Sequence, residues 1–205
     1  SGNLHSALKS FETAASDFDN VNVKITSCYK EVLSADKVVL PGVGSFSFCK
    51  SKLLENTDIY QALCDLVLVQ KKPFLGICVG MQLLATIGHE GQDNNSGLDW
   101  ISGEVKKIVV EQGFKIPHMG WNSIKFNKPH PLFADISADD HFYFVHSYEF
   151  KAFSKNEVLA TTDHSKEIVA AIAKDNIVGL QFHPEKSQLQ GLKIIKNFIK
   201  WDAFR

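Results

Sequence analysis

Cys78 lies in Gly76-Ile77-Cys78-Val79-Gly80, with a glycine two residues away on each side. The apolar run 73–77 precedes it and the helical pattern 81–85 follows, so the cysteine falls on a strand-to-helix turn. This is the form of a nucleophile elbow, with a thiol where the commoner version has a hydroxyl. The glycines let strand and helix cross closely, the thiol projects at the carboxyl edge of the sheet, and the following helix N-terminus favours the thiolate. The Val79 N–H points to where an oxyanion would develop. Taken alone, a cysteine between packing glycines reads equally well as a buried structural residue, so a matching base is needed.

Gly179-Leu180-Gln181-Phe182-His183-Pro184-Glu185 supplies one. His183 ends an apolar strand and Glu185 follows two residues on, with Pro184 fixing the chain between them. Such a pair can shuttle protons on His183 while Glu185 orients the ring and favours its charged form. A third segment, Pro41-Gly42-Val43-Gly44, follows the short apolar run 38–40. Its glycines free the backbone to approach a ligand and offer an N–H, from Gly44 or a neighbour, to an oxyanion. No following Gly-Lys-Ser/Thr supports a phosphate loop there.

The elements around these segments set the architecture. Apolar spacing predicts helices over 3–13, 58–71, 81–85 and 189–201, the first capped by Asn3. Alternation predicts a strand over 21–25, and short apolar runs predict buried strands at 38–40 and 73–77. The strand–helix order implies parallel pairing in a three-layer α/β domain. A polar loop spans 88–97. Beyond it, β-rich runs at 105–110, 122–126, 141–150, 158–162, 168–173 and 177–182 predict antiparallel hairpins, with Lys174-Asp175-Asn176 as one turn. The fold expected is therefore a mixed sheet with an antiparallel extension. No repeat or linker divides it, so 1–205 reads as a single domain.

Composition narrows the function classes. Of 205 residues, 22 are basic and 23 acidic, for a net charge of −1, which argues against nucleic acid or an anionic membrane as main partner. No apolar run of ~18 residues exists to span a bilayer, and no apolar leader precedes the first helix, so a cytoplasmic protein is expected. The 4 cysteines form no C-x-x-C pair, which suits neither a zinc site nor a disulfide framework.

Gly-Ile-Cys-Val-Gly-Met-Gln and Gln-Phe-His-Pro-Glu resemble the class I, triad-type glutamine amidotransferases. The resemblance is closest to the glutaminase subunits of imidazole glycerol phosphate synthases. It extends over Ser1-Gly2-Asn3-Leu4, Pro41-Gly42-Val43-Gly44, Pro117-His118-Met119-Gly120-Trp121-Asn122, Tyr143-Phe144-Val145-His146-Ser147-Tyr148 and His183-Pro184-Glu185-Lys186-Ser187, essentially the whole chain. It implies a flavodoxin-like mixed sheet, and a triad of Cys78, His183 and Glu185 that hydrolyses glutamine. It further implies an oxyanion site at Gly44 and Val79, and substrate contacts from Gln82, Ser147 and Tyr148. Asn3, Met119, Trp121, Tyr143 and Lys186 match positions facing a (β/α)₈ synthase subunit that receives the ammonia. No cofactor or metal is implied. In this family a strand precedes the first helix. The chain opens on Ser1-Gly2-Asn3 and goes straight into a helix, so that leading strand is expected to be missing from this sequence.

Other readings compete with this one. A paralogue feeding ammonia to a surface-sugar pathway would share the triad, and 162–167 lacks the aromatic-glycine turn expected of the histidine-pathway subunits. A stand-alone cysteine hydrolase would not need Gln82, and a non-catalytic binding subunit would not need the triad.

Overall fold

The computed structural model describes residues 4–91 and 95–203. Strands β1 (Val38–Gly42) and β2 (Phe74–Cys78) open the sheet. They are followed by β3 (Ile87–Gly88), β4 (Asn95–Ser96), β5 (Gly103–Lys107), β6 (His118–Ser123) and β7 (Lys125–Phe126). The last five are β8 (His141–His146), β9 (Tyr148–Ala152), β10 (Val158–Asp163), β11 (Glu167–Lys174) and β12 (Ile177–Leu180). Helices are α1 (Leu4–Ala15), α2 (Tyr29–Leu33), α3 (Phe46–Glu55), α4 (Thr57–Cys64), α5 (Val79–Gln82) and α6 (Gln188–Lys200).

The main sheet has the order β1-β2-β12-β11-β10-β7. Its first three strands are parallel and the rest antiparallel, the mixed sheet with antiparallel extension expected from sequence. In the parallel half β1 is mostly half-buried, while β2 and β12 are buried at every position, as a strand covered on both faces must be. A second sheet, β4-β3-β5-β9, and a two-stranded ribbon, β6-β8, complete the frame. Helix α1 buries Ala7, Phe11, Ala14 and Ala15 and packs on α6, which buries Gly191, Ile194, Ile195 and Phe198.

Several expectations are corrected. Residues 21–25 are no strand: among the described residues no strand pairs with them, Val21 and Ile25 are exposed, and alternation without a partner cannot close a ladder. That segment is tied instead to α2, through Lys24 and Thr26 to Glu31. The helix after Cys78 stops at Gln82, because Leu98, Trp100 and Asp99 donate to the carbonyls of Leu83, Leu84 and Ala85 and divert the chain. The run 141–150 breaks at Ser147, where the chain leaves the β6 partner of β8 and joins β5 through β9. Helix α3 was not signalled by the sequence, although Ser45 caps it by accepting from the Phe48 N–H at 3.3 Å. The helix expected over 58–71 is α4 continued by a π-turn segment, Asp65–Val69. The loop expected over 88–97 closes with a short ladder, Gly88 pairing with Asn95.

Candidate active site

The turn at Cys78 follows from its glycines. Cys78 has φ +55° and ψ −113°, a conformation that an L-residue holds only when its surroundings over-determine it. Three bare Cα atoms permit the crossing. A Cβ on Gly76 would lie 2.6 Å from the Gly80 carbonyl oxygen, one on Gly42 2.5 Å from the Gly80 nitrogen, and one on Gly80 1.9 Å from the Leu40 carbonyl oxygen. Gly42 stands opposite Cys78 in the β1–β2 register, so the Pro41–Gly44 segment runs directly past the thiol. Gly44 follows with φ +107°, and Val79 is the first residue of α5.

His183 leaves the end of the neighbouring strand β12. Its backbone N–H donates to the Tyr143 carbonyl at 2.9 Å. Ser187 braces the other side, its hydroxyl donating to the His183 carbonyl at 2.7 Å and accepting from the Tyr143 N–H at 3.0 Å. The His183 Nδ1 and Glu185 Oε1 lie 2.7 Å apart, with both side chains buried. Burial alone would lower the His183 pKa, but the Cys78 and Glu185 side chains outweigh it and push it up to about 9. At neutral pH the ring is therefore charged and can give a proton to a leaving group. Its Nε2 is buried and makes no hydrogen bond of full geometry, even though Cys78 is near enough to dominate the upward shift. A nucleophile–base pair is commonly this loose before substrate tightens it.

A string of amides runs from the thiol to the Tyr148 carbonyl. Gln181 Nε2 donates to Cys78 Sγ at 3.8 Å, and Gln82 Nε2 donates to Gln181 Oε1 at 3.0 Å and to the Tyr148 carbonyl at 3.1 Å. Gln181 was not picked out from sequence. His118 and His146 were also passed over. They pair across the β6–β8 ribbon with His118 Nδ1 3.0 Å from His146 Nε2. Burial lowers their pKa values to about 3 and about 4.

The residues expected at a partner surface fall together on the outer face of that ribbon. Trp121 and Tyr143 are cross-strand neighbours with ring centroids 5.9 Å apart. The Lys186 Nζ sits 5.8 Å over the Tyr143 ring, and Met119 is 61 % and Trp121 48 % exposed. Asn3 lies outside the described residues. Ser147 stands at the bend between β8 and β9, beside Tyr148. Among the described residues no helix is long and apolar enough to cross a membrane.

Comparison with known proteins agrees with this geometry. The family profile described as glutamine amidotransferase class-I matches residues 2–201. The imidazole glycerol phosphate synthase subunit HisH of Ruegeria pomeroyi is 46 % identical over 202 residues, covering 98 % of this chain and 95 % of that one. The protein of the same name from Brucella suis is 48 % identical over 206 residues, with the same coverage. In fold, a crystal structure of a glutamine amidotransferase superimposes with a TM-score of 0.70 at 13 % identity, covering 97 % of this chain and 93 % of the other. The glutaminase domain of Trypanosoma brucei CTPS gives 0.59 at 16 % identity, covering 97 % and 88 %. With a cysteine elbow, a His–Glu pair beside it and this degree of likeness along nearly its whole length, the chain belongs to the class I glutamine amidotransferase family.

Proposed function

We propose that this chain is the glutaminase subunit of an imidazole glycerol phosphate synthase, acting in the cytoplasm in histidine biosynthesis. The observation that carries the reading is the strained Cys78 turn held next to the His183–Glu185 pair, two features that packing alone would not require together. In the proposed reaction the Cys78 thiolate attacks the side-chain carboxamide carbon of glutamine, and the carbonyl electron pair moves to oxygen. N–H groups at Val79 and Gly44 receive that oxyanion. His183 gives its proton to the departing nitrogen, ammonia leaves and a thioester remains. The neutral ring then takes a proton from water, hydroxide adds to the thioester, and glutamate is released with the thiolate restored. Glu185 holds the ring in line throughout.

Gln82, Ser147 and Tyr148 are proposed to hold the amino-acid end of the substrate. The exposed Met119–Trp121 face, with Tyr143 and Lys186 beside it, supports docking of a (β/α)₈ synthase subunit, because apolar surface of this kind is desolvated on association. That partner would take the ammonia and close the imidazole ring, yielding imidazole glycerol phosphate and an aminoimidazole carboxamide ribonucleotide. The test is glutamate release from glutamine by the chain alone, then with the synthase subunit and its ribonucleotide substrate. Strong stimulation in the complex supports the reading. Full activity of the chain alone would point to an independent hydrolase, and no activity with this partner would point to another ammonia acceptor.

A further inference from the structure

The inner face of the β6–β8 ribbon carries a hydrogen-bonded string whose direction is fixed by its last member. His146 Nδ1 lies 2.8 Å from the Tyr148 carbonyl oxygen. A carbonyl only accepts, so His146 carries its proton on Nδ1. In a neutral ring Nε2 is then bare and must accept, so His118 Nδ1 donates to it across 3.0 Å. His118 Nε2 is bare in turn and accepts from Asn122 Nδ2 at 3.2 Å. The second Asn122 Nδ2 proton goes to the Asp163 carbonyl at 2.8 Å. Each member has one possible orientation, and both rings must be neutral for the string to close. Stacking of His118 between Phe144 and His164, with centroids at 4.7 and 4.3 Å, holds the first ring in plane.

The end of the string is a shared atom. The Tyr148 carbonyl accepts from His146 on one side and from Gln82 Nε2 on the other. Gln82 Nε2 spends its second proton on Gln181, which reaches the Cys78 sulfur. Both Gln82 amide protons are thereby committed, so any contact it makes to an incoming substrate goes through Oε1. We propose that His118 and His146 are positioning residues, a one-way pair of neutral imidazoles that fixes the Tyr148 carbonyl and, through it, the side chain of Gln82 in the glutamine pocket. The proposal rests on the glutaminase reading above. The string starts at Asn122, on the strand that also carries Met119 and Trp121, so the partner-facing ribbon and the pocket share one hydrogen-bonded skeleton.

Two measurements test it. Nitrogen-15 NMR of the intact wild-type chain should find both His118 and His146 in the Nδ1–H form. An Nε2–H ring at either position overturns the proposal, whatever the chain's activity turns out to be. The second is steady-state glutaminase kinetics of the complex with its synthase subunit. His118→Phe keeps the stack and removes the donor, and it should raise the glutamine KM by roughly tenfold while kcat changes less than about twofold. His118→Asn restores a donor near the Nδ1 position and should return KM to within about threefold of wild type. An unchanged KM in His118→Phe, or equal losses in both variants, overturns the positioning role. If the wild-type complex releases no glutamate, it is the glutaminase reading that fails, and the NMR result alone decides the relay.

Discussion

Gly80 lies so close beneath Leu40 that a single added methyl group would stand 1.9 Å from the Leu40 carbonyl oxygen. The obstacle is backbone on a buried sheet, so it cannot swing aside as a side-chain tip would. Gly80→Ala should therefore push β1 away from the elbow. We expect a loss of about 3 kcal/mol or more, since overpacking against fixed atoms costs about 1–3 kcal/mol even where side chains can adjust. For a chain of this size each kcal/mol lowers Tm by about 2–4 °C. Gly113→Ala is the control: its φ of +102° is strained for alanine but the space beside it is open, so the loss should be near 1 kcal/mol. Calorimetry of the two variants separates crowding from backbone strain.

Cys78→Ala removes the proposed nucleophile and leaves the fold's packing nearly intact. In the complex, glutamine-dependent synthesis should vanish while synthesis from added ammonia continues. A variant that still hydrolyses glutamine would sink the assignment.

Glu185→Gln keeps the shape of the His183 partner and removes its charge. His183 should then titrate below its present value of about 9, because one of the two groups that offset its burial is gone. The glutaminase kcat should fall by about 10²–10⁴, the scale seen when the carboxylate behind a catalytic histidine becomes an amide. A histidine titration followed by NMR, alongside the pH–rate profile, checks both.

Stability should peak near about pH 7 and fall on both sides. Burial holds His118 at about 3 and His146 and His130 at about 4. Between those values and their ordinary 6.5, the unfolded chain binds protons that the native state refuses, so stability falls as pH drops. His183 works in the opposite sense: between 6.5 and about 9 the native state keeps a proton that the unfolded chain releases, so stability falls as pH rises through that range. Thermal unfolding from about pH 4 to 10 reads both limbs. His118→Phe should flatten the acid limb, and a profile identical to wild type below pH 6.5 would refute the account.

Lys186→Ala removes an exposed charge that sits 5.8 Å over the Tyr143 ring. Such a contact is worth about 0.5–1 kcal/mol at the surface, so Tm should move by no more than a few degrees. Coupling to the synthase subunit should suffer more, read as reduced stimulation of glutamate release. A large Tm loss with normal stimulation would place Lys186 in the scaffold instead.

What was legible in the sequence is what is local in it. The elbow needs Gly76, Cys78 and Gly80 within five residues, and the proton shuttle needs His183 and Glu185 within three, so type and spacing carried both. Gln181 was not legible because its meaning depends on Gln82, 99 residues away. His118 and His146 carry no signal of their own until the ribbon register sets them opposite each other. Residues 21–25 show the converse failure. Their alternation satisfies the pattern of a strand, but a strand is a relation between two chain segments, and the second is not beside it. The break at Ser147 is similar, since an unbroken β pattern does not say which sheet its second half will join.

Ser187, which accepts from the Tyr143 N–H and donates to the His183 carbonyl, makes the ribbon and the proton-carrying segment move as one body. Together with the direct bond from the His183 N–H to the Tyr143 carbonyl, it ties the backbone that carries the imidazole to strand β8. A molecule that grips the Tyr143 face from outside therefore grips the backbone of His183 as well. The aim of His183 at the thiol is then set from a surface that never touches glutamine.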